Sequence, residues 1–165
     1  MLVTKKFPGR PRWCEYSHGL GRFIVNIREP AGVVTVNPRN GEIEALKPVS
    51  TLGPHGIDVD EEQGLAYIAC DAGAVIALDL KTFAVKWRVK ISGEPDVTWF
   101  NPRRQLLYVA VAKPGLIEVI DTANVKVVQQ IKTEEGAGTL AFDQSRQRLY
   151  SFQPKSCRAA IYVES

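Results

Sequence analysis

Three ionisable side chains recur at a nearly constant spacing in this sequence: Arg12, His55 and Asp96. Gly138 stands at the next step of the same spacing. Histidine changes charge near neutral pH, so it can serve as a general base, a hydrogen-bond partner or a ligand. If the fold gathers these positions around one axis, the sequence predicts a polar mouth. Asp96 could hydrogen-bond the His55 ring there, either as part of a site or as a structural bond between neighbouring blades.

Other catalytic and metal-binding patterns are missing from the sequence. It has no HExxH, CxxC or EF-hand motif, and no GxSxG elbow, P-loop or Rossmann fingerprint. His18 falls in a turn predicted on the side opposite His55, so one chain cannot bring both histidines to one metal ion. Cys70 is followed by Asp71, whose carboxylate would oppose formation of a reactive thiolate. The sequence therefore predicts no metal site and no cofactor, and it favours a binding protein over an enzyme.

Composition and charge exclude several further classes. The chain is 45% hydrophobic and 24% charged, as in a soluble globular protein, and its net charge of +3 is spread without a basic run. Nucleic acid is therefore not an expected partner. No apolar stretch reaches the ~20 residues that span a bilayer, so no membrane association is expected. Met1–Pro8 lacks the apolar core of a signal peptide.

The three cysteines are Cys14, Cys70 and Cys157, and an odd number cannot all pair within one chain. Together with the missing export signal, this predicts reduced, mostly buried thiols in a cytoplasmic protein. Cys14 is expected in the core, and Cys157 falls in a longer loop that could be exposed. An exported parent protein remains the alternative.

An internal repeat of about 42 residues, a period found in known repeat architectures, positions all these candidates. Tyr67, Tyr108 and Tyr150 lie in apolar runs at this period, and Ile24 takes their place in a first copy. An alternating run precedes each of these anchors at a constant offset. Further apolar runs follow them and end at Asn37, Asp79, Asp121 and Glu164. Anchors that stay in phase along the whole chain predict four copies of one structural unit.

Each copy contains the patterns of four short strands. The first alternates, the second and third are almost continuously apolar, as expected of strands covered on both faces, and no segment shows a helical period. An amphipathic fourth strand, suited to an outer edge, is predicted at Gly41–Leu46, Ala84–Val89 and Lys126–Ile131. The predicted fold is an all-β propeller with four blades of four antiparallel strands. Its blades, in one domain of residues 1–165, would be approximately 10–52, 53–93, 94–136, and 137–165 with 1–7.

The repeat resembles the YVTN-type family of β-propellers, relatives of the lactonase-like propellers. The resemblance is carried by Pro54–Asp60, by the Tyr67 and Tyr108 strands, and by Gly115–Thr122. It covers nearly the whole chain and is specific for the fold. It implies three functions: a module that binds a small molecule or a protein, a lactonase-like hydrolase or lyase with His55 as the base, or a structural module or fragment of a larger propeller.

The resemblance also implies where a ligand would sit. In such propellers the binding face is built by loops between blades and by loops between second and third strands. The latter loops contribute Arg28, Glu29, Asp71, Lys113 and Lys155. The alternative is that these are ordinary solvated loop residues. The candidate ligand-binding residues are Arg12, Arg28, His55, Asp71, Asp96 and Lys113.

The chain is offset from its own repeat by one strand. The last copy stops after its third strand, and the segment Met1–Phe7 aligns by two periods with an outer strand. Three arrangements are open. Leu2–Lys6 could pair with Ala160–Val163 of the same chain, two chains could exchange that strand in an eight-bladed homodimeric ring, or the chain could be part of a longer propeller.

Overall fold

The apolar and alternating runs of the sequence form β-strands, and the computed structural model describes residues 4–163 of the chain. Sheet 1 contains β1 (Pro11–Ser17), β2 (Arg22–Ile27), β3 (Gly32–Val36) and β4 (Lys47–Pro48). Sheet 2 contains β5 (Pro54–Asp60), β6 (Leu65–Cys70), β7 (Ala74–Asp79) and β8 (Val85–Lys90). Sheet 3 contains β9 (Glu94–Asn101), β10 (Leu106–Lys113), β11 (Leu116–Asp121) and β12 (Lys126–Lys132). Sheet 4 contains β13 (Leu140–Asp143), β14 (Arg148–Gln153) and β15 (Arg158–Val163).

The strands of each sheet follow one another in chain order and pair antiparallel, as the repeat predicts. The prediction of an all-β chain with four antiparallel sheets is confirmed, and the described residues form no helix. None of them therefore belongs to a helix long and apolar enough to cross a membrane. The register preserves the repeat, because Tyr67 pairs with Asp58 and Tyr108 pairs with Trp99 at equivalent places.

The sheets pack face to face in sequence order, and the core lies between them. Tyr67 is 1% exposed and belongs to the cluster between sheets 2 and 3, where its ring lies 5.0 Å from that of Phe100. Tyr108 takes the same place between sheets 3 and 4. Full burial of one large apolar side chain stabilises a fold by about 1.5–3 kcal/mol. The recurring tyrosine is therefore a packing residue that joins one sheet to the next.

The first strands of the four sheets, β1, β5, β9 and β13, contact one another in that order. Side-chain hydrogen bonds join them: Asp58 Oδ2 accepts from the Phe100 N–H at 2.6 Å, and Trp99 Nε1 donates to the Leu140 carbonyl at 2.9 Å. These bonds fix β9 against β5 and β13 against β9. Loops that lead into the inner strands are therefore held close together.

The outer strands share an irregularity that the sequence did not reveal. The pairing of β7 with β8 shifts register between Ala77 and Leu78, and β11 with β12 shifts at the equivalent place, between Val119 and Ile120. Such a register shift means that one strand of the pair carries an extra residue. This feature is a β-bulge, which bends and twists the edge of a sheet.

In sheet 1 the outer strand is only Lys47–Pro48, so the predicted strand Gly41–Leu46 is wrong in its bounds. Only a single bridge joins Ile43 to Val36, and regular pairing resumes at Lys47–Pro48. The register slips by one residue between these two contacts. The Val49 N–H then donates to the Ala31 carbonyl at 3.3 Å, so the hydrogen bonding of this edge continues past Pro48.

Thr4–Phe7, the described part of the N-terminal segment, do not lie beside sheet 4, where closure by a single chain would require them. Leu2, Val3 and Glu164 fall outside the described residues, while Thr4–Phe7 form no strand. Phe7 packs against the apolar face of sheet 1 that includes Val25 and Ile27. Sheet 4 has three strands within residues 4–163, and no closed ring is present among them. Within those residues, the first of the three open arrangements, in which Leu2–Lys6 pair with Ala160–Val163 of the same chain, is therefore not formed.

Candidate functional site

His55 lies at the start of β5, in the inner strand of sheet 2, where the pairing with β6 shifts between Pro54 and Ile57. The irregular backbone leaves the His55 carbonyl free to accept a hydrogen bond from Asn26 Nδ2 at 2.8 Å. Asn26 is completely buried in sheet 1. The imidazole side chain is 11% exposed. The position of His55 is therefore set both by its own backbone and by the neighbouring sheet.

Asp71 holds one ring nitrogen of His55. It follows β6, and its Oδ1 lies 3.0 Å from His55 Nδ1. The Asp71 N–H also donates to the Gly53 carbonyl at 2.9 Å. Gly53 has φ +67°, and a Cβ at that position would lie 2.6 Å from the Asp71 Cβ. Glycine is therefore required there, both for the backbone angle and for the close approach of the carboxylate.

Two neighbouring sheets supply the partners of the other ring nitrogen. Asp96 Oδ1, from β9 of sheet 3, lies 3.2 Å from His55 Nε2. The guanidinium of Arg12, from β1 of sheet 1, contacts the same nitrogen. Equivalent positions of three successive sheets thus meet at one ring, as the spacing in the sequence indicates. The fourth equivalent position is Gly138, which brings no side chain.

Arg28 and Lys113 complete the group that the sequence singled out. Arg28 Nε lies 2.6 Å from Asp71 Oδ2, an ion pair in which both side chains are less than half exposed. Lys113 is exposed at the end of β10 and forms no ion pair among the described residues. The structure therefore brings all six predicted residues to one end of the sheets.

A small open cavity of about 230 Å³ lies beside His55. It is lined by Arg28, His55, Asp71, Glu94, Pro95, Asp96, Ala112 and Lys113. Glu94 was not singled out from the sequence, although its loop was. Glu94 pairs with Lys113 across the β9–β10 ladder. It also stands two residues before Asp96 on the same strand, and this alternation is the sequence signal that could have identified it.

Charges of both signs surround this cavity. Its lining includes two cations, Arg28 and Lys113, and three carboxylates, those of Asp71, Glu94 and Asp96. Arg28 already pairs with Asp71, and Asp96 and the nearby Arg12 both contact His55. Glu94 and Lys113 stand exposed at the rim. The arrangement can hold a polar molecule that carries both an acceptor and a donor group, and Asp71 and Arg12 fix the orientation of the imidazole.

No group of three or more metal-ligating side chains is placed to hold an ion within residues 4–163. Asp71 and Asp96 lie at opposite nitrogens of the His55 ring, so their carboxylates cannot converge with it on one ion.

The cysteines divide between buried and exposed. Cys70 is buried beside the site, and this burial raises the pKa of its thiol to about 12, so it is not a nucleophile at neutral pH. Cys157 is exposed. The expectation that Cys14 lies in the core is wrong, because it pairs with Val25 at the uncovered end of sheet 1 and is exposed.

Comparison with known proteins bears on the fold. No protein-family model matches this sequence, and no curated protein matches it. Among solved structures, one chain of Kuenenia stuttgartiensis hydrazine synthase is similar at 18% identity, with a TM-score of 0.79 over 100% of this chain and 52% of that chain. That neighbour has a β-propeller-like fold, and this chain spans about half its length. The likeness therefore shows that the four sheets form a propeller-like array.

Proposed function

We propose that this protein is a YVTN-type β-propeller that binds a small polar ligand at the mouth around His55. The observation that carries the proposal is the convergence of Arg12, His55 and Asp96 from three successive sheets beside an open cavity. These three residues occupy equivalent positions of the repeat, which supports the proposal that the chain belongs to the YVTN-type propellers. A buried imidazole held at both nitrogens is preorganised, so a ligand would not have to order it on binding.

The size and charge of the cavity point to the ligand class. Its volume of about 230 Å³ is below the ~300–1,000 Å³ of sites for drug-sized molecules. Lys113 and Glu94 offer one positive and one negative contact at the rim. A molecule of metabolite size with both an anionic and a cationic group, such as an amino acid, matches this pattern best.

A structural role is the second candidate, and one observation favours it. Arg12, Arg28, Asp71 and Asp96 already pair with His55 or with one another, so the cluster is stable without a ligand. In that case the cluster would only join sheets 1, 2 and 3. The exposed rim charges separate the two functions, because a structural cluster does not need them.

A hydrolase is less well supported. The contact of Asp71 with His55 Nδ1 is suited to orienting a general base. However, the nitrogen that would have to face a substrate, Nε2, lies beside Asp96 and Arg12. A substrate would first have to displace both Asp96 and Arg12.

Calorimetric titration tests the proposal with a panel of amino acids, dicarboxylates and sugar phosphates. We expect Lys113→Met to weaken binding of the best probe at least about 10-fold. A tenfold change in Kd corresponds to about 1.4 kcal/mol, which is the size expected for the loss of one charged contact. Lys155→Met is the matched control. Lys155 occupies the equivalent place in sheet 4, pairs with Glu135 and does not line the cavity. The absence of binding by every probe, or equal losses in both variants, would leave the structural role as the better account.

A further inference from the structure

The last sheet presents an uncovered apolar face. Phe152, Ile161 and Val163 are 47%, 54% and 66% exposed on β14 and β15. The positions equivalent to Phe152 and Ile161 in sheet 3 are Ala110 and Val119. Both are buried in the apolar cluster between sheets 3 and 4. This face of sheet 4 is therefore the one that each earlier sheet buries against its successor.

The first sheet presents the opposite face. Phe23 on β2 is 38% exposed and Trp13 on β1 is 41% exposed. The positions equivalent to Phe23 in the other sheets are Ala66, Leu107 and Leu149, and all three are buried against the preceding sheet. Phe7 covers part of this end, over Val25 and Ile27, and leaves Phe23 and Trp13 accessible.

The outer edge of sheet 4 is also incomplete. Sheets 1 to 3 each have a fourth strand, whereas β15 pairs only with β14 within the described residues. The segment Thr4–Phe7 makes no backbone hydrogen bond with other described residues and lies at the outer side of sheet 1, near Ile43 and Leu46. A sheet 1 placed after sheet 4 would bring such a segment to the unpaired edge of β15.

We propose that a second copy of this chain covers these faces. Sheet 1 of each copy packs on sheet 4 of the other, and the two identical interfaces close a two-fold symmetric ring of eight sheets. Two observations support a second copy of the chain as the molecule that covers the exposed faces. The two exposed faces are those that pack together inside the repeat, and the chain superposes on about half of a longer propeller-like chain. Such a ring places both His55 mouths on the same side.

Mass measurement by light scattering on the full chain tests the ring. We expect a particle of twice 18.3 kDa at micromolar concentration. Ile161→Glu and Phe23→Glu each place a carboxylate in both interfaces, so each should halve the mass. Val128→Glu is the control, because Val128 is 47% exposed on β12 and belongs to neither end face. Circular dichroism checks that every variant keeps its strands.

Mixing the two single variants distinguishes this arrangement from other dimers. The Ile161→Glu variant keeps an intact sheet 1, and the Phe23→Glu variant keeps an intact sheet 4. These two faces can still pack together, so the mixture should regain a two-chain particle with one interface. A dimer built from two sheet 4 faces would instead survive Phe23→Glu. The proposal is wrong if the unchanged protein is a monomer, if it forms longer polymers, or if the mixture stays monomeric.

Discussion

Asp58 shows how strongly the inner strands control single residues. It lies on β5 between sheets 2 and 3, and burial raises the pKa of its carboxyl to about 7. Hydrogen bonds from the Phe100 and Val59 N–H groups favour the charged form, but desolvation outweighs them, and the nearby carboxylates of Glu15 and Asp60 raise the pKa further. Asp58 therefore binds a proton at a pH where a solvated aspartate has lost it.

This raised pKa predicts a pH-dependent stability. Because the folded state holds the proton more tightly than the unfolded state, the contribution of Asp58 is greatest below pH 4 and is lost as the pH rises to about 7. Asp58→Asn cannot ionise and removes this dependence. We expect the difference in unfolding free energy, wild type minus variant, to fall by up to about 4 kcal/mol between pH 4 and pH 8. Urea unfolding at several pH values measures it, and a constant difference would contradict the assignment.

Tyr67 and Tyr108 occupy one repeat position but differ in hydrogen bonding. The Tyr67 hydroxyl donates to buried Asp60 at 3.0 Å, whereas the buried Tyr108 hydroxyl has no partner among the described residues. Tyr67→Phe should therefore cost about 1–3 kcal/mol of unfolding free energy, since it leaves a buried carboxylate oxygen unpaired. Tyr108→Phe should be neutral or slightly stabilising. Denaturant unfolding of both variants makes the comparison, and equal losses would show that the hydrogen bond is unimportant.

The site around His55 could be predicted from the sequence only in part. The spacing of Arg12, His55 and Asp96 placed them together because the repeat sets one angular position for each sheet. The bond from Asp71 to His55 Nδ1 was not predicted. It depends on the backbone of Gly53, whose positive φ and close contact with Asp71 have no periodic signal in the sequence.

At the scale of the elements, the turns between first and second strands share one strained position. Gly21, Gly64, Gln105 and Gln147 all adopt a positive φ between 52° and 63°. Glycine adopts this conformation without penalty, whereas a side chain with a Cβ does not. The repeat therefore preserves the turn geometry even where the residue changes.

This turn gives a clean measurement of backbone strain. A Cβ added at Gly64 would meet nothing within 4 Å. We expect Gly64→Ala to cost about 1 kcal/mol through φ alone. Gly64→Asn should cost less, because asparagine tolerates the left-handed region better than other residues do. Thermal unfolding of the two variants tests the order, and a stability ranking of Ala above Asn would exclude strain as the cause.

The strands themselves were predictable because their signal is periodic. Tyrosine anchors and alternating runs placed the second and first strands in every sheet. The outer strand of sheet 1 was not predicted correctly, because Gly41–Leu46 has the same amphipathic pattern as the other outer strands although regular pairing begins only at Lys47. A bulge is visible only in the pairing, which a single sequence does not record.

At the scale of the whole molecule, the repeat predicts how each sheet follows the last but not how the array ends. Phe7 could pack on either end of the array by its apolar character alone, and in the structure it covers part of sheet 1. Within residues 4–163 the four sheets form an open series whose last face is exposed. The repeat therefore predicts the order of the sheets and leaves open what covers the two end faces.

The central claim is that the charged mouth around His55 is a binding site rather than a structural bond between sheets. The most direct test follows the ring proton signals of His55 by nuclear magnetic resonance during titration with L-glutamate and L-arginine. His18, at the opposite ends of the strands, serves as the internal reference. We predict saturable shifts of the His55 signals with one of these probes and none at His18. Signals of both histidines that stay unchanged throughout would contradict the account.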